Sequence, residues 1–193
     1  MSLKENLLNA NKEIVSLGLV KLTWGNVSAR QGKNILIKPS GVKLQSLDYN
    51  DISEVDFDNN LLKGLKQSVD TPSHIELYKS FKNVNAVVHT HSKYATSFAQ
   101  AKVNIPCLGT THADYFRYEI PVVGEAKDLE NYEKSTGESI VNFFIENSID
   151  SMREHLTNVD NNETEIDLFP VVGEDRESYP CSYCSFQTIC YDQ

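Results

Sequence analysis

The chain has 193 residues, is 40% hydrophobic and 23% charged, and carries a formal net charge of −9. That is the composition of one globular core with room for an appendage, and no apolar run reaches the length of a membrane span. The acidic balance argues against nucleic acid as a partner of the main body, though not against a small phosphate held by a few local donors.

The charge is unevenly placed. Residues 1–150 sum to −2 and residues 151–193 to −7, so a boundary is expected near Asp150. Cysteines divide the same way, with Cys107 alone in the first part and Cys181, Cys184 and Cys190 crowded at the end. Met1 to Val20 mixes Lys4 and Lys12 with Glu5 and Glu13, unlike a signal peptide, and a cytoplasmic protein is expected. In that compartment cysteines suggest thiols or metal before disulfides.

Leu3 to Leu17 has the apolar spacing of an amphipathic helix, which Gly18 can end. Trp24 to Ala29 and Asn34 to Lys38 read as strands joined by a turn at Gln31-Gly32-Lys33. Pro39-Ser40-Gly41 is a turn, Ile52 to Phe57 alternates as a strand, and Asp58-Asn59-Asn60 leads into a short strand at Leu61-Leu62. Thr71-Pro72 starts a helix, in which His74, Leu77, Tyr78 and Phe81 recur at helical spacing. The apolar run Val84 to Val88 then delivers His89 and His91, two positions apart. On a strand both point to one face, which suits a shared metal ion and equally suits two ordinary hydrogen-bonded histidines. A helix follows from Lys93 to Ala101. Ile105-Pro106 and Ile120 to Val123 are strand pieces around a polar loop, and Asn131 to Asn147 is a helix with Ile140, Phe143 and Phe144 inward. Mixed helices and short strands around one core predict an α/β or α+β sandwich.

Four polar turns punctuate these elements: Thr23 to Asn26, Lys38 to Gly41, Ser68 to Pro72 and Gly109 to Asp114. Glycine admits close backbone approach, serine and asparagine add donors, and a helix start favours an anion. With Lys38, the first three can hold a phosphate; each also reads as a plain turn. Asp70 is either a helix-start residue or a carboxylate aimed at a metal. His112 reads as a loop histidine, and Asp114 as either a proton-transfer group or a turn acid.

In order and spacing, Leu22-Thr-Trp-Gly-Asn-Val-Ser28, Ile37-Lys-Pro-Ser-Gly41, Asp70-Thr-Pro-Ser-His74, His89-Thr-His-Ser92 and Gly109-Thr-Thr-His-Ala-Asp-Tyr-Phe116 resemble the class II aldolase/adducin family, and within it the L-ribulose-5-phosphate 4-epimerases. The resemblance runs from about Leu7 to Asp150. It implies an α/β/α sandwich around a mainly antiparallel sheet, and a family tetramer with sites at subunit interfaces. It also implies a small phosphorylated sugar bound by Gly25, Asn26, Ser40, Gly41 and Ser68. His89, His91 and Asp70 would be ligands of a divalent metal, usually zinc, and Asp114 an acid/base residue. Related aldolases tend to have glutamate at the Asp70 position, so the shorter aspartate favours the epimerase. The implied reaction is a retro-aldol/aldol sequence in which the metal polarises the ketose oxygens, the bond between the third and fourth carbons breaks, and the aldehyde is re-added on its other face.

Two features depart from the family pattern. Val69 replaces a second serine. Beyond Asp150 the family's strand, third metal histidine and proton-transfer tyrosine have no counterpart; His155, Tyr179, Tyr183 and Tyr191 match none of them. The expected consequences are an open sheet edge and weak or absent turnover. Instead, Cys181, Cys184 and Cys190 resemble the terminal cysteine cluster of RecB-like nucleases, which helps to hold an iron–sulfur cluster; three thiolates are an incomplete set. A tail without activity is expected.

Overall fold

Asn11 and Arg30, two polar side chains on opposite faces of one sheet, pin its helices in place. The computed structural model of the chain describes residues 1–115, 119–123, 131–158 and 186–187. The first helix, α1 (Leu3–Ser16), begins at a capping box: Ser2 Oγ accepts from Glu5 N at 3.3 Å, and Ser2 N donates to Glu5 Oε2 at 2.6 Å. Its buried face presents Leu7, Asn11 and Ile14. Asn11 is fully buried: its amide donates to Leu7 O at 2.9 Å and Val27 O at 3.2 Å, and its Oδ1 accepts from Val27 N at 2.9 Å. Those bonds tie α1 to the first strand while leaving no amide group of Asn11 unsatisfied.

Strands β1 (Asn26–Gln31), β2 (Asn34–Ile37), β3 (Ser53–Asp56) and β4 (Leu61–Lys63) follow, then helix α2 (Thr71–Ser80) and strand β5 (Ala86–His89). Helices α3 (Lys93–Ala101), α4 (Thr110–Tyr115) and α5 (Tyr132–Asn158), and a two-residue strand β6 (Phe186–Gln187), complete the described elements. The sheet order is β4-β3-β2-β1-β5-β6, and every pair is antiparallel. The pleat sorts the core into two layers. Val27, Ala29, Leu36 and Val88 face α1 with Leu7, Ile14, Leu44, Leu47 and Ile52. Ile35, Val55 and Val87 face α2 and α5 with Ile75, Tyr78, Val84, Ile140 and Val141. This is the α/β/α sandwich that the family resemblance implies.

Arg30 closes the far end of α2. Its guanidinium donates to Phe81 O at 3.2 Å and to Tyr78 O, its Nε donates to Val84 O at 3.1 Å, and it lies over the Tyr78 ring at 4.9 Å. The carbonyls at a helix C-terminus favour such a cation. At the near end, α2 and α5 touch backbone to backbone. A Cβ built on Gly137 would stand 2.9 Å from both Ser73 Cα and Ser73 O, and Ser73 Oγ donates to Glu133 O.

Several boundaries differ from the sequence reading, each for a local reason. β1 starts at Asn26 rather than Trp24, because Leu22 (φ 56°) and Gly25 (φ 84°) are left-handed and no strand passes through them. The polar loop after Gly109 contains a short helix, α4, in which Ala113 N donates to Gly109 O at 3.0 Å. The pieces at Ile105 and Ile120 meet in one isolated antiparallel bridge instead of strands. Helix α5 runs on to Asn158, past the change of charge at Asp150. At the edge expected to be open, Val88 pairs with Gln187 and His89 with Phe186, so two positions of β5 are covered. Among the described residues, no helix is long and apolar enough to cross a membrane. The three tail cysteines and Tyr179, Tyr183 and Tyr191 lie outside the described residues.

Candidate active site

The ladder between β1 and β5 sets Asn26 opposite His89 and Ser28 opposite Val87, all on the α2 side of the sheet. There the sheet is polar where it would otherwise be core. Ser28 Oγ shares hydrogen bonds with His74 Nδ1 at 2.7 Å and Tyr78 OH at 2.8 Å, and all three side chains are buried. Burial holds the His74 imidazole neutral, its pKa pushed down to about 3, and raises that of the Tyr78 phenol above its ordinary value.

Asp70 occupies the N-cap position of α2, yet its side chain makes no capping bond. It turns inward. Its Oδ2 accepts from Asn26 Nδ2 at 2.6 Å and Ser68 Oγ at 3.1 Å, and lies 3.1 Å from His89 Nδ1. Burial by itself would raise this carboxyl; the contact with His89, the fields of His89 and His74 and the Ser68 hydroxyl outweigh it, and hold Asp70 well below the usual carboxylate range. Asp70 is therefore a fixed anion at neutral pH. Asp70 thus stands at the helix start with its carboxylate turned inward to Asn26, Ser68 and His89.

The His89 and His91 rings lie side by side, centroids 4.6 Å apart and tilted by 43°. His89 is buried within the sheet; His91 is exposed beyond the last paired residue of β5. Among the described residues, no three His, Cys, Asp or Glu side chains are grouped to hold a metal ion. Asp70 Oδ2 stands 3.1 Å from the Nδ1 of His89, where a carboxylate can orient the ring. Two imidazoles backed by a carboxylate fit a zinc-type ion as part of a donor set, with the remaining ligands coming from elsewhere.

The substrate-binding candidates separate. Asn26 is buried inside this cluster, and its Oδ1 has no hydrogen-bond partner among the described residues. Ser68 is also buried, its hydroxyl engaged by Asn26 at 3.3 Å and Asp70. A bridge between Pro39 and Gln67 brings the 39–41 turn beside Ser68; Ser40 is exposed there, and Gly41 (φ 70°) has open space around it. Lys38 does not reach out as a phosphate ligand: it is 2% exposed and its Nζ donates to Thr23 O at 2.8 Å. Asp114 is exposed on α4, outside the Asp70–His89 network, and His112 is on the same short helix.

Gly25 holds the cluster close. A Cβ there would stand 2.5 Å from Val20 Cγ1 and 2.7 Å from His89 O, on a backbone of φ 84°. The Gly25→Ala variant is expected to lose about 2–4 kcal/mol of stability in urea melts, from left-handed strain plus overpacking against the His89 carbonyl.

Sequence reasoning missed the Ser28–His74–Tyr78 group as a unit. Its signal was present as a serine at an inward strand position and a histidine on the apolar stripe of α2, two polar residues that a core tolerates only when paired.

Residues 5–155 match the class II aldolase and adducin N-terminal domain family. The chain belongs to that family. Among proteins with similar sequences is the probable L-ribulose-5-phosphate 4-epimerase UlaF of Mycoplasma pneumoniae, 46% identical over 155 residues, or 77% of this chain and 64% of that protein. The L-ribulose-5-phosphate 4-epimerase UlaF of Salmonella paratyphi B is 43% identical over 145 residues, or 72% of this chain and 64% of that protein. The chain thus spans just under two thirds of the length of these curated relatives. Among solved structures, an L-fuculose 1-phosphate aldolase superposes with a TM-score of 0.61 at 25% identity, over 70% of this chain and 66% of that one. The class II aldolase assignment accounts for the mainly antiparallel sheet flanked by helices.

Proposed function

We propose that this class II aldolase domain serves a metal-dependent L-ribulose-5-phosphate 4-epimerase, which interconverts L-ribulose 5-phosphate and D-xylulose 5-phosphate. The observation that carries the reading is the convergence of Asn26 and His89 on the Asp70 carboxylate, with His91 beside His89. The similarity to two epimerases supports it.

His89 and His91 would hold the divalent ion, with zinc favoured by the imidazole donors. When bound, that ion would polarise the ketose oxygens and ease cleavage of the bond between the third and fourth carbons. The protein's own residues do the rest. Asp70 engages His89 Nδ1, which fixes the ring and directs Nε2 to the ion. Asn26 Oδ1, a buried acceptor, takes a sugar hydroxyl. The Ser40 hydroxyl and the backbone of the open Gly41 turn receive the phosphate, while Lys38 holds the Thr23 carbonyl and Gly25 lets that loop pack against the His89 carbonyl. Asp114 moves the proton at the fourth-carbon hydroxyl. The acidic segment 151–193 takes no part in this chemistry, and copies of the chain associate as homo-oligomers.

An aldolase reading uses the same bond cleavage without re-addition, and the likeness to the L-fuculose 1-phosphate aldolase favours it. Metal analysis of the purified protein beside assays on both sugar phosphates decides between them. About one zinc per chain and slow formation of D-xylulose 5-phosphate, abolished by a chelator, are expected; turnover is slow because the donors clustered among the described residues amount to two imidazoles. A folded protein without divalent metal and without turnover of L-ribulose 5-phosphate would refute the epimerase. Cleavage of L-fuculose 1-phosphate alone would establish the aldolase, and iron without zinc would move attention to Cys181, Cys184 and Cys190.

A further inference from the structure

His89 is fixed by the sheet, but His91 lies beyond the last paired residue of β5 and is exposed. Its orientation has to come from elsewhere. Trp24, the single tryptophan of the chain, supplies a ring 6.0 Å away at a tilt of 43°. Trp24 is 55% exposed, so core packing does not explain where it sits. The loop that carries it is anchored on both sides. Trp24 N donates to Lys21 O at 3.0 Å, Leu22 and Gly25 are both left-handed, and Thr23 O accepts from the ammonium of Lys38. A buried ammonium is costly unless it is bonded, and this one is spent on a loop carbonyl. Leu22 in a left-handed conformation is a further cost that the loop sustains. Two unfavourable features maintained side by side, both serving to hold one exposed aromatic ring against a histidine, call for a functional reason.

We propose that Lys38 and Trp24 are positioning residues for the candidate metal site: Lys38 grips the Thr23 carbonyl, the gripped loop presents Trp24, and the Trp24 ring holds the His91 imidazole beside that of His89. This rests on the reading of His89 and His91 as metal-binding. An aromatic partner at this distance removes rotamer freedom that His91 would otherwise lose on binding an ion. It also assigns Lys38 a role different from that of a phosphate ligand.

The test uses the full chain, Ni2+ alone as probe, and the emission of Trp24. In the unmodified protein Ni2+ is expected to quench that emission as it binds, because the ring neighbours the ligand. Trp24→Ala is expected to bind Ni2+ about tenfold more weakly by calorimetry, while Trp24→Phe, which keeps a ring, stays close to the parent. Lys38→Met is expected to leave Trp24 more open to acrylamide quenching and to weaken Ni2+ binding by a similar factor. Equal Ni2+ affinity in Trp24→Ala and the parent would overturn the proposal, as would unchanged acrylamide quenching in a folded Lys38→Met. If Lys38→Met does not fold, the Trp24 pair decides, since that side chain is largely outside the core. Failure of the parent to bind Ni2+ at all would instead refute the metal reading, and the acrylamide comparison would then decide whether Lys38 sets the loop.

Discussion

Replacing Asp70 with alanine is expected to weaken zinc binding by about 10–100-fold, the usual effect of removing a carboxylate behind a metal histidine. Epimerase turnover should fall with it. The effect does not pass through the helix, because Asp70 makes no capping bond to lose. It passes through His89, whose Nδ1 lies 3.1 Å from the carboxylate, and through the Asn26 amide and Ser68 hydroxyl, which lose their shared acceptor. Leaving buried donors unmatched should cost a further ~1–3 kcal/mol in urea denaturation. Asp70→Asn keeps the shape but not the charge, and should fall between the two. Calorimetric zinc titration checks the first effect; an alanine variant that binds zinc like the parent would show that the contact with His89 has no bearing on the metal.

Acid should destabilise this domain well above the pH at which ordinary carboxylates titrate. His74 is neutral in the folded protein, its pKa pushed down to about 3 by burial first and then by His89, with Asp70 opposing. In the unfolded chain it titrates near pH 6.5. Between those values the unfolded state binds the extra proton, so stability rises with pH across the window. The contribution is complete above about pH 6.5 and is lost progressively as pH falls toward 3, amounting to a few kcal/mol on the order of one for each pH unit. Asp70 adds a loss of the same sign, confined to lower pH because its unfolded value is that of an ordinary carboxylate. His74→Gln can still hydrogen-bond with Ser28 but cannot titrate. Its unfolding free energy between pH 6.5 and 4.5 should therefore slope less steeply than that of the parent. Parallel slopes would show that His74 is already charged in the fold.

Most of the architecture was legible because each element carried its own local signal. Ser92 caps α3 and Pro72 opens α2; the glycine of the 31–33 turn and the acid of the 58–60 turn sit where the hairpins bend. The two-residue spacing of His89 and His91 signalled their neighbouring rings, although β5 ends at His89. What remained hidden is decided by contacts between residues far apart in the chain. Nothing near Lys38 reveals that its ammonium ends on Thr23, or near Asn11 that it bridges to Val27. Asp70 read correctly as a helix start, but where its carboxylate points depends on Asn26, 44 residues earlier, and on His89. α4 escaped notice because its six residues, Thr-Thr-His-Ala-Asp-Tyr, are too few and too polar to show an apolar period.

The close approach at Gly137 has a mechanical consequence. Because Gly137 faces the Ser73 main chain with no room for a side chain of its own, a shift of one helix is expected to displace the other. α2 begins at Asp70, and α5 leads into the divergent C-terminal segment. A tug or a bulky insertion at the far end of α5 would thus be transmitted across that seam to the carboxylate beneath His89, so that the fit of the ion becomes sensitive to sequence that never touches it.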